Sequence, residues 1–275
     1  MDKKYEIIEQ IGTGCFGSIF CGRNKRTMEL VAIKVEPIIN NTKLLKNESC
    51  IYQFLSGCNG IPKVKWFGKD SANYYMVIEL LGKSLETFKN ERTFLTLTLT
   101  MQIGRQIVAL LQTIHDLGLV HRDVKPDNFL FGLNENRQRI YVIDFGFCKP
   151  YLDNGEHIEN VKTNNLVGSP NYASINAHNF DQISRRDDLE SLGYMLMYLH
   201  TGKLKWSDCT QQSTIQAFKT GILHHCTFKT PTLLSDNYQA HAEDVADVFV
   251  QYLRYVRNLK FKETPDYRFL LELLQ

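Results

Sequence analysis

The run His121-Arg122-Asp123-Val124-Lys125-Pro126-Asp127-Asn128 carries a carboxylate, an amine and a carboxamide at close, fixed spacing. Its five polar identities at 121, 122, 123, 125 and 128 arise by chance on the order of once in ten thousand chains of this size. Pro126 keeps the run out of a helix interior, because it lacks the N–H and clashes with the preceding turn. Upstream, Thr98–Leu117 repeats Leu99, Ile103, Ile107, Leu110, Leu111 and Ile114 at helical spacing. Downstream, Phe129–Phe131 reads as a short strand. The run is therefore a loop between helix and strand. A merely solvated charged loop would need none of these identities. Phosphoryl transfer needs all three chemistries: Asp123 to accept a hydroxyl proton, Lys125 to neutralise the moving phosphate and Asn128 to hold a metal ion.

Working outward, Asp144-Phe145-Gly146 stands 21 residues after Asp123 and ends the strand Ile140–Ile143. A carboxylate at a buried strand end, followed by glycine, suits Mg²⁺ held between phosphates. Toward the N-terminus, Gly12-x-Gly14-x-x-Gly17 lies between two strand-like runs. Glycines let backbone amides approach a phosphate; a tight hairpin turn would use the same residues. A dinucleotide site needs strand, loop, then helix, whereas Ser18–Cys21 alternates like a strand, so a flap between two strands is expected. Lys34 sits in the apolar strand Leu30–Val35, where an inward lysine needs an anion and an outward one would be solvated. Glu48 falls among Leu44, Leu45, Ile51, Tyr52 and Leu55 on the apolar face of a helix over Lys43–Leu55. A carboxylate placed there is costly unless a cation meets it, and Lys34 is the natural candidate.

The texture changes once along the chain. Tyr5–Ile11, Ser18–Cys21, Leu30–Val35, Lys63–Phe67 and Tyr74–Glu79 read as strands. After Leu81-Gly82 the pattern is helical, over Thr98–Leu117, Asp187–His200, Ala242–Arg257 and Asp266–Leu274, with Gly202 beside a helix end. The sequence predicts an α+β fold in one domain, residues 1–275: a small β-rich lobe over about 1–80, a hinge over about 79–83, and a larger, mainly helical lobe over about 84–275. With 275 residues and 43% hydrophobic content, the chain can bury a core without metal or disulfide staples. Its seven cysteines form no CxxC pair and read as free thiols of a reducing compartment. A net charge of +2 is too mild to imply nucleic acid. No apolar run approaches a membrane span, and Met1–Gln10 lacks the apolar stretch of a signal peptide. A cytoplasmic monomer is expected, and nothing in the sequence bars nuclear entry.

The glycine loop, lysine, helix glutamate, HRDxKxxN and DFG stand in the order of the protein kinases, which the chain resembles. Ala173-Ser174-Ile175-Asn176 replaces the usual Ala-Pro-Glu. With Ser184–Gly193, Gly60-Ile61-Pro62, Glu79–Gly82, Lys125–Leu130 and Pro265-Asp266-Tyr267, it makes the chain similar to the casein kinase 1 family over nearly its whole length. The resemblance implies a bilobal kinase fold, ATP and Mg²⁺ as cofactors, and phosphorylation of Ser or Thr in acidic protein substrates. It implies that Gly12, Gly14 and Gly17 cover the nucleotide phosphates, that Ile19 and Ala32 roof the adenine, and that Ile11 belongs to the same nucleotide site. Lys34 would contact the α/β-phosphates and pair with Glu48. Ile78 would be the gatekeeper, and the backbones of Glu79 and Leu81 would meet the adenine. Asp123 would be the catalytic base, Lys125 would contact the γ-phosphate, and Asn128 and Asp144 would bind Mg²⁺. Asp188 would buttress the catalytic loop. The rival reading is a pseudokinase scaffold, against which Lys34, Asp123, Asn128 and Asp144 are all present.

The chain departs from the family pattern at its phosphate-recognition pocket. Asn171 and Asn164 stand where the family carries arginine and lysine, and Cys209–Ala217 has no basic residue. Neutral side chains cannot supply charge-assisted bonds to a phosphate, so weak dependence on a priming phosphate is expected unless Lys162, Lys219 or Arg185 compensates. Cys15 in the glycine loop and Cys148 after the DFG are candidate reactive thiols near the nucleotide. The sequence given ends at Gln275, without the C-terminal tail many relatives carry, and activity without tail removal is expected.

Overall fold

The computed structural model describes residues 4–14, 17–38, 44–225 and 246–275. Cys15 and the predicted helix start at 242–245 lie outside these residues. In chain order the elements are β1 (Tyr5–Gly14), β2 (Gly17–Asn24), β3 (Leu30–Pro37), α1 (Leu44–Phe54), β4 (Val64–Lys69), β5 (Asn73–Glu79), α2 (Leu85–Asn90) and α3 (Leu97–Asp116). Short strand pairs occupy much of residues 119–157, followed by α4 (Ile175–His178), α5 (Arg185–Thr201), α6 (Gln212–His225), α7 (Asp247–Asn258) and α8 (Tyr267–Leu273). The chain forms two compact units, Met1–Leu85 with Asn128–Cys148, and Glu86–Asp127 with Lys149–Gln275.

The first unit is built on an antiparallel five-stranded sheet of order β1-β2-β3-β5-β4. Alternation divides its faces. Tyr5, Val31, Ile33, Tyr75 and Val77 form one hydrophobic cluster, with Phe20, Val35 and Trp66 packed against it. The other parity of β3 places Ala32 opposite Cys21 and Ile78, and Lys34 opposite Ile19 and Met76. The two strands expected to flank the glycine loop are paired antiparallel, with Gly14 opposite Gly17. Gly17 has a packing reason: a Cβ there would lie 1.9 Å from the Val35 carbonyl oxygen. Beyond β5, the Gly82 N–H donates to Phe131 O and the Phe131 N–H to Lys83 O, tying the segment to the hairpin Phe129–Phe131/Ile140–Val142.

The second unit is helical, and α5 runs through its core. The spacing of Asp187–His200 suggests one apolar face. The helix instead starts at Arg185 and is buried almost all round, including Asp187, Asp188 and Glu190. Those three carboxylates serve neighbouring segments, so polar residues here do not mark a solvent face. Ser184 and Asp187 form a capping box, and Gly202 caps the other end at φ +83°. Gly193 lets α7 close in, since a Cβ would meet Leu253 Cδ2 at 2.6 Å. Helices α2, α4 and α6 carry too little periodicity to be read from the sequence. No helix among the described residues is long and apolar enough to cross a membrane.

Candidate active site

In the first unit, Lys34 Nζ lies 2.7 Å from Glu48 Oε2 and 3.0 Å from Asp144 Oδ1. Strand β3 supplies the lysine, α1 the glutamate and the end of the strand Ile140–Val142 the aspartate. Glu48 is 2% exposed, among Leu45, Tyr52 and Leu55, as its position on the apolar face requires. One ammonium thus faces two carboxylates, and the group carries an excess negative charge. Burial opposes the Lys34 ammonium, but Glu48 and Asp144 outweigh it and hold its pKa above the usual lysine value. Burial, with Asp144 adding to it, pushes the Glu48 carboxyl up to about 7 despite Lys34 beside it. A further cation at Asp144 would relieve this excess.

Asp144 itself holds a left-handed backbone at φ +63°, which a non-glycine residue keeps only when its surroundings impose it. Two contacts do so: Tyr52 OH accepts the Asp144 N–H at 3.2 Å, and Asp144 Oδ1 accepts the Gly146 N–H at 3.4 Å. Tyr52 also packs edge-on against Phe145, ring centroids 4.8 Å apart. Tyr52 lies one turn after Glu48, so a single helix sets both the Lys34 partner and the start of the DFG. Asn128 is buried, and its carbonyl accepts the Ile143 N–H. Ile19, Ala32 and Ile78 share the Lys34 face of the sheet by register. Ile11 is half-exposed on β1 and Leu81 half-buried. The Glu79 N–H donates to Lys63 O, so any contact of Glu79 with adenine falls to its carbonyl. Cys148 is half-buried.

In the second unit, Asp123 Oδ2 pairs with Lys125 Nζ at 2.7 Å, and Asp123 Oδ1 accepts both the N–H and the hydroxyl of Ser169 at 2.9 Å each. Gly168 makes the approach possible: its φ is +89°, and a Cβ would lie 2.6 Å from Arg122 O. Arg122, just before Asp123, is also left-handed at φ +69°. Asp188 holds it there. Its Oδ2 accepts the His121 N–H (2.7 Å) and its Oδ1 the Arg122 N–H (2.8 Å), while His115 Nε2 lies 3.0 Å from Oδ2. His115 Nδ1 in turn meets Tyr267 OH at 2.7 Å. Burial would raise the Asp188 carboxyl, but the hydrogen bond from His115, the two imidazoles beside it and the Arg122 N–H hold it below the usual range.

A family model described as protein kinase domain matches residues 5–260. The chain belongs to the protein kinase family. The phosphotransfer chemistry read from the 121–128 loop is that family's chemistry, and ATP is its phosphate donor.

In this kinase the segment Ala173–Asn176 is anchored on α5. Ser174 Oγ donates to Asp187 Oδ1 at 2.7 Å and Asn176 Nδ2 to the same oxygen at 3.0 Å. Glu190 accepts the Ile175 N–H and pairs with Arg257 at 3.1 Å. The three cations Lys219, Arg185 and Lys162 each have partners within the protein. Lys219 is fully buried, Arg185 donates to Tyr151 OH and Lys262 O, and Lys162 pairs with Asp181 at the surface. Sequence reading missed the roles of Ser169, His115 and Tyr52, and named Lys219 only as a candidate phosphate-pocket cation, whereas its amine is held by the Pro170 and Ala173 carbonyls. Tyr52 had a signal, a hydroxyl one turn from Glu48; Ser169 and Lys219 reach their partners only through long-range folding.

Proposed function

We propose that the chain is a protein serine/threonine kinase of the casein kinase 1 type that moves the ATP γ-phosphate to protein hydroxyls and depends little on a priming phosphate. The observation that carries this reading is the Asp123–Lys125 pair, with Asp123 also fixed by Ser169. A carboxylate held by a lysine two residues on suits an aliphatic hydroxyl: Asp123 takes its proton as the oxygen bonds to the γ-phosphorus and the bond to the leaving ADP oxygen breaks. Lys125 neutralises charge on the phosphoryl oxygens. Lys34, held by Glu48, meets the α/β-phosphates. Asn128 and Asp144 offer hard oxygen donors next to an excess negative charge, a set that fits Mg²⁺ shared with phosphates. When bound there, Mg²⁺ would neutralise the β- and γ-phosphate charge. Asn171 and Asn164, with Lys219 and Arg185 buried on other partners, support weak priming.

The test is a peptide panel with Ser, Thr or Tyr at the acceptor and Ser, Asp or phosphoserine three residues before it. We expect Ser and Thr to be phosphorylated, Tyr to be left alone, and phosphoserine to gain little over Asp. A strong phosphoserine preference would overturn the weak-priming reading, and Tyr phosphorylation would overturn the Ser/Thr assignment.

A further inference from the structure

Lys219 on α6 has no exposed side-chain surface. Its Nζ donates to the carbonyl oxygens of Pro170 and Ala173, each at 2.7 Å, and lies 3.1 Å from His178 Nε2. The amine also sits 4.8 Å from the Tyr194 ring centroid and 5.6 Å from that of Trp206. A lysine is almost never fully buried without a strong reason, and an apolar side chain of similar volume would pack here at lower cost. The groups it meets are main-chain carbonyls of a single segment, the one that carries Ser169. Trp206 Nε1 holds the intervening carbonyl, Asn171 O, at 2.9 Å. Three carbonyls within four residues are thus held from below.

We propose that Lys219 is a positioning residue for phosphotransfer: its amine clasps the Pro170 and Ala173 carbonyls and thereby sets Ser169 against Asp123. The clasp has its own foundation. Arg257 donates to Lys219 O at 2.9 Å and to Tyr194 OH at 2.6 Å, and pairs with Glu190. The groups facing the amine are His178 from α4, Glu190 and Tyr194 from α5, and Arg257 from α7. Burial pushes the Lys219 ammonium down to about 7, with Glu190 opposing and Arg257 reinforcing the fall. Protonated or neutral, the amine keeps two N–H donors for two carbonyls, so the clasp does not depend on charge. The proposal rests on the reading of Asp123 as the base that receives the substrate proton.

The experiment compares the whole kinase with Lys219→Met and Lys219→Gln. Methionine keeps the apolar stem against Tyr194 and Trp206 but has no donor; glutamine keeps two neutral N–H donors. Hydrogen exchange is read at the Ser169, Tyr172 and Ala173 amides, which bond to Asp123 Oδ1 and, for the last two, to Ser169 O. We expect about tenfold faster exchange there in Lys219→Met, the factor of one lost hydrogen bond. Lys219→Gln should fall between Met and wild type, and α3 amides should not change. Peptide kcat should fall by about the same factor with ATP KM unchanged, because the disturbed contact is the one that positions Asp123. Wild-type exchange at the three amides in the folded Met variant, or a wild-type kcat in it, would overturn the clasp. If wild type transfers no phosphate, the kinase reading fails, while the exchange data still decide the clasp.

Discussion

Asp188→Asn should loosen the catalytic loop by a predictable amount. The carboxylate takes two adjacent backbone N–H groups, one on each oxygen, plus His115. An amide has one acceptor oxygen. It can serve His121 or Arg122, and the other N–H then faces an NH₂. The loss is one hydrogen bond to a charged acceptor, about 1.5–3 kcal/mol. Relaxing Arg122 from its left-handed φ returns part of that, since the conformation costs about 1–2 kcal/mol. A net destabilisation near 2 kcal/mol corresponds to a melting-temperature drop of about 4–8 °C for a unit of this size. The larger effect is catalytic, because Asp123 follows Arg122 directly. A displacement of about 1 Å costs about a hundredfold in rate, so kcat should fall by that order. The pH dependence has a definite sign. The Asp188 pKa is lowered on folding, so its stabilisation is present above the unfolded value, about 3.9, and is lost as pH falls through the folded value below it. Wild type and variant should therefore converge in strong acid. Thermal melts from pH 1.5 to 8, with kcat at pH 7.5, read all three effects. An unchanged melting temperature together with unchanged kcat would refute the argument that Asp188 holds the loop.

Three further outcomes follow from the same contacts. Tyr52→Phe removes the acceptor for the buried Asp144 N–H, at about 1–3 kcal/mol. Its ATP KM should rise severalfold, and an unchanged KM would mean that α1 does not set the DFG. Ser169→Ala loses the hydroxyl bond to Asp123 but keeps the N–H bond, so kcat should drop about tenfold, whereas Ser169→Thr should retain it. Burial, then Lys219, lowers the His178 pKa to about 4. The unfolded chain then binds a proton there between about pH 6.5 and 4 that the folded chain refuses, and stability falls as pH drops through that window. His178→Gln should flatten this slope, measured by urea titration, and equal slopes would contradict it.

The sheet of the first unit was legible because its strands obey the period of two and are punctuated by Gly, Asn and Asp. The Lys34–Glu48 pair was legible for a related reason: each charge sits where its own element should be apolar, so each implies the other. The 121–128 loop stood out through its residue identities alone. What escaped had no local pattern. Helix α5 is buried almost all round, so its carboxylates look like a solvent face in sequence while serving backbone donors 66 and 67 residues away. Ser169 reaches Asp123 across 46 residues, and Lys219 reaches Pro170 across 49. Such contacts depend on how helices and loops meet, which local periodicity does not encode.

The most direct measurement is transfer of γ-phosphate from ATP to casein in the presence of Mg²⁺, comparing wild type with Asp123→Asn and Lys34→Met, each first shown to be folded by thermal melting. Transfer by wild type that is lost in both variants is the predicted result. Folded wild type that binds ATP yet transfers nothing, or Asp123→Asn that transfers at the wild-type rate, would contradict the assignment of Asp123 as the base of an active kinase.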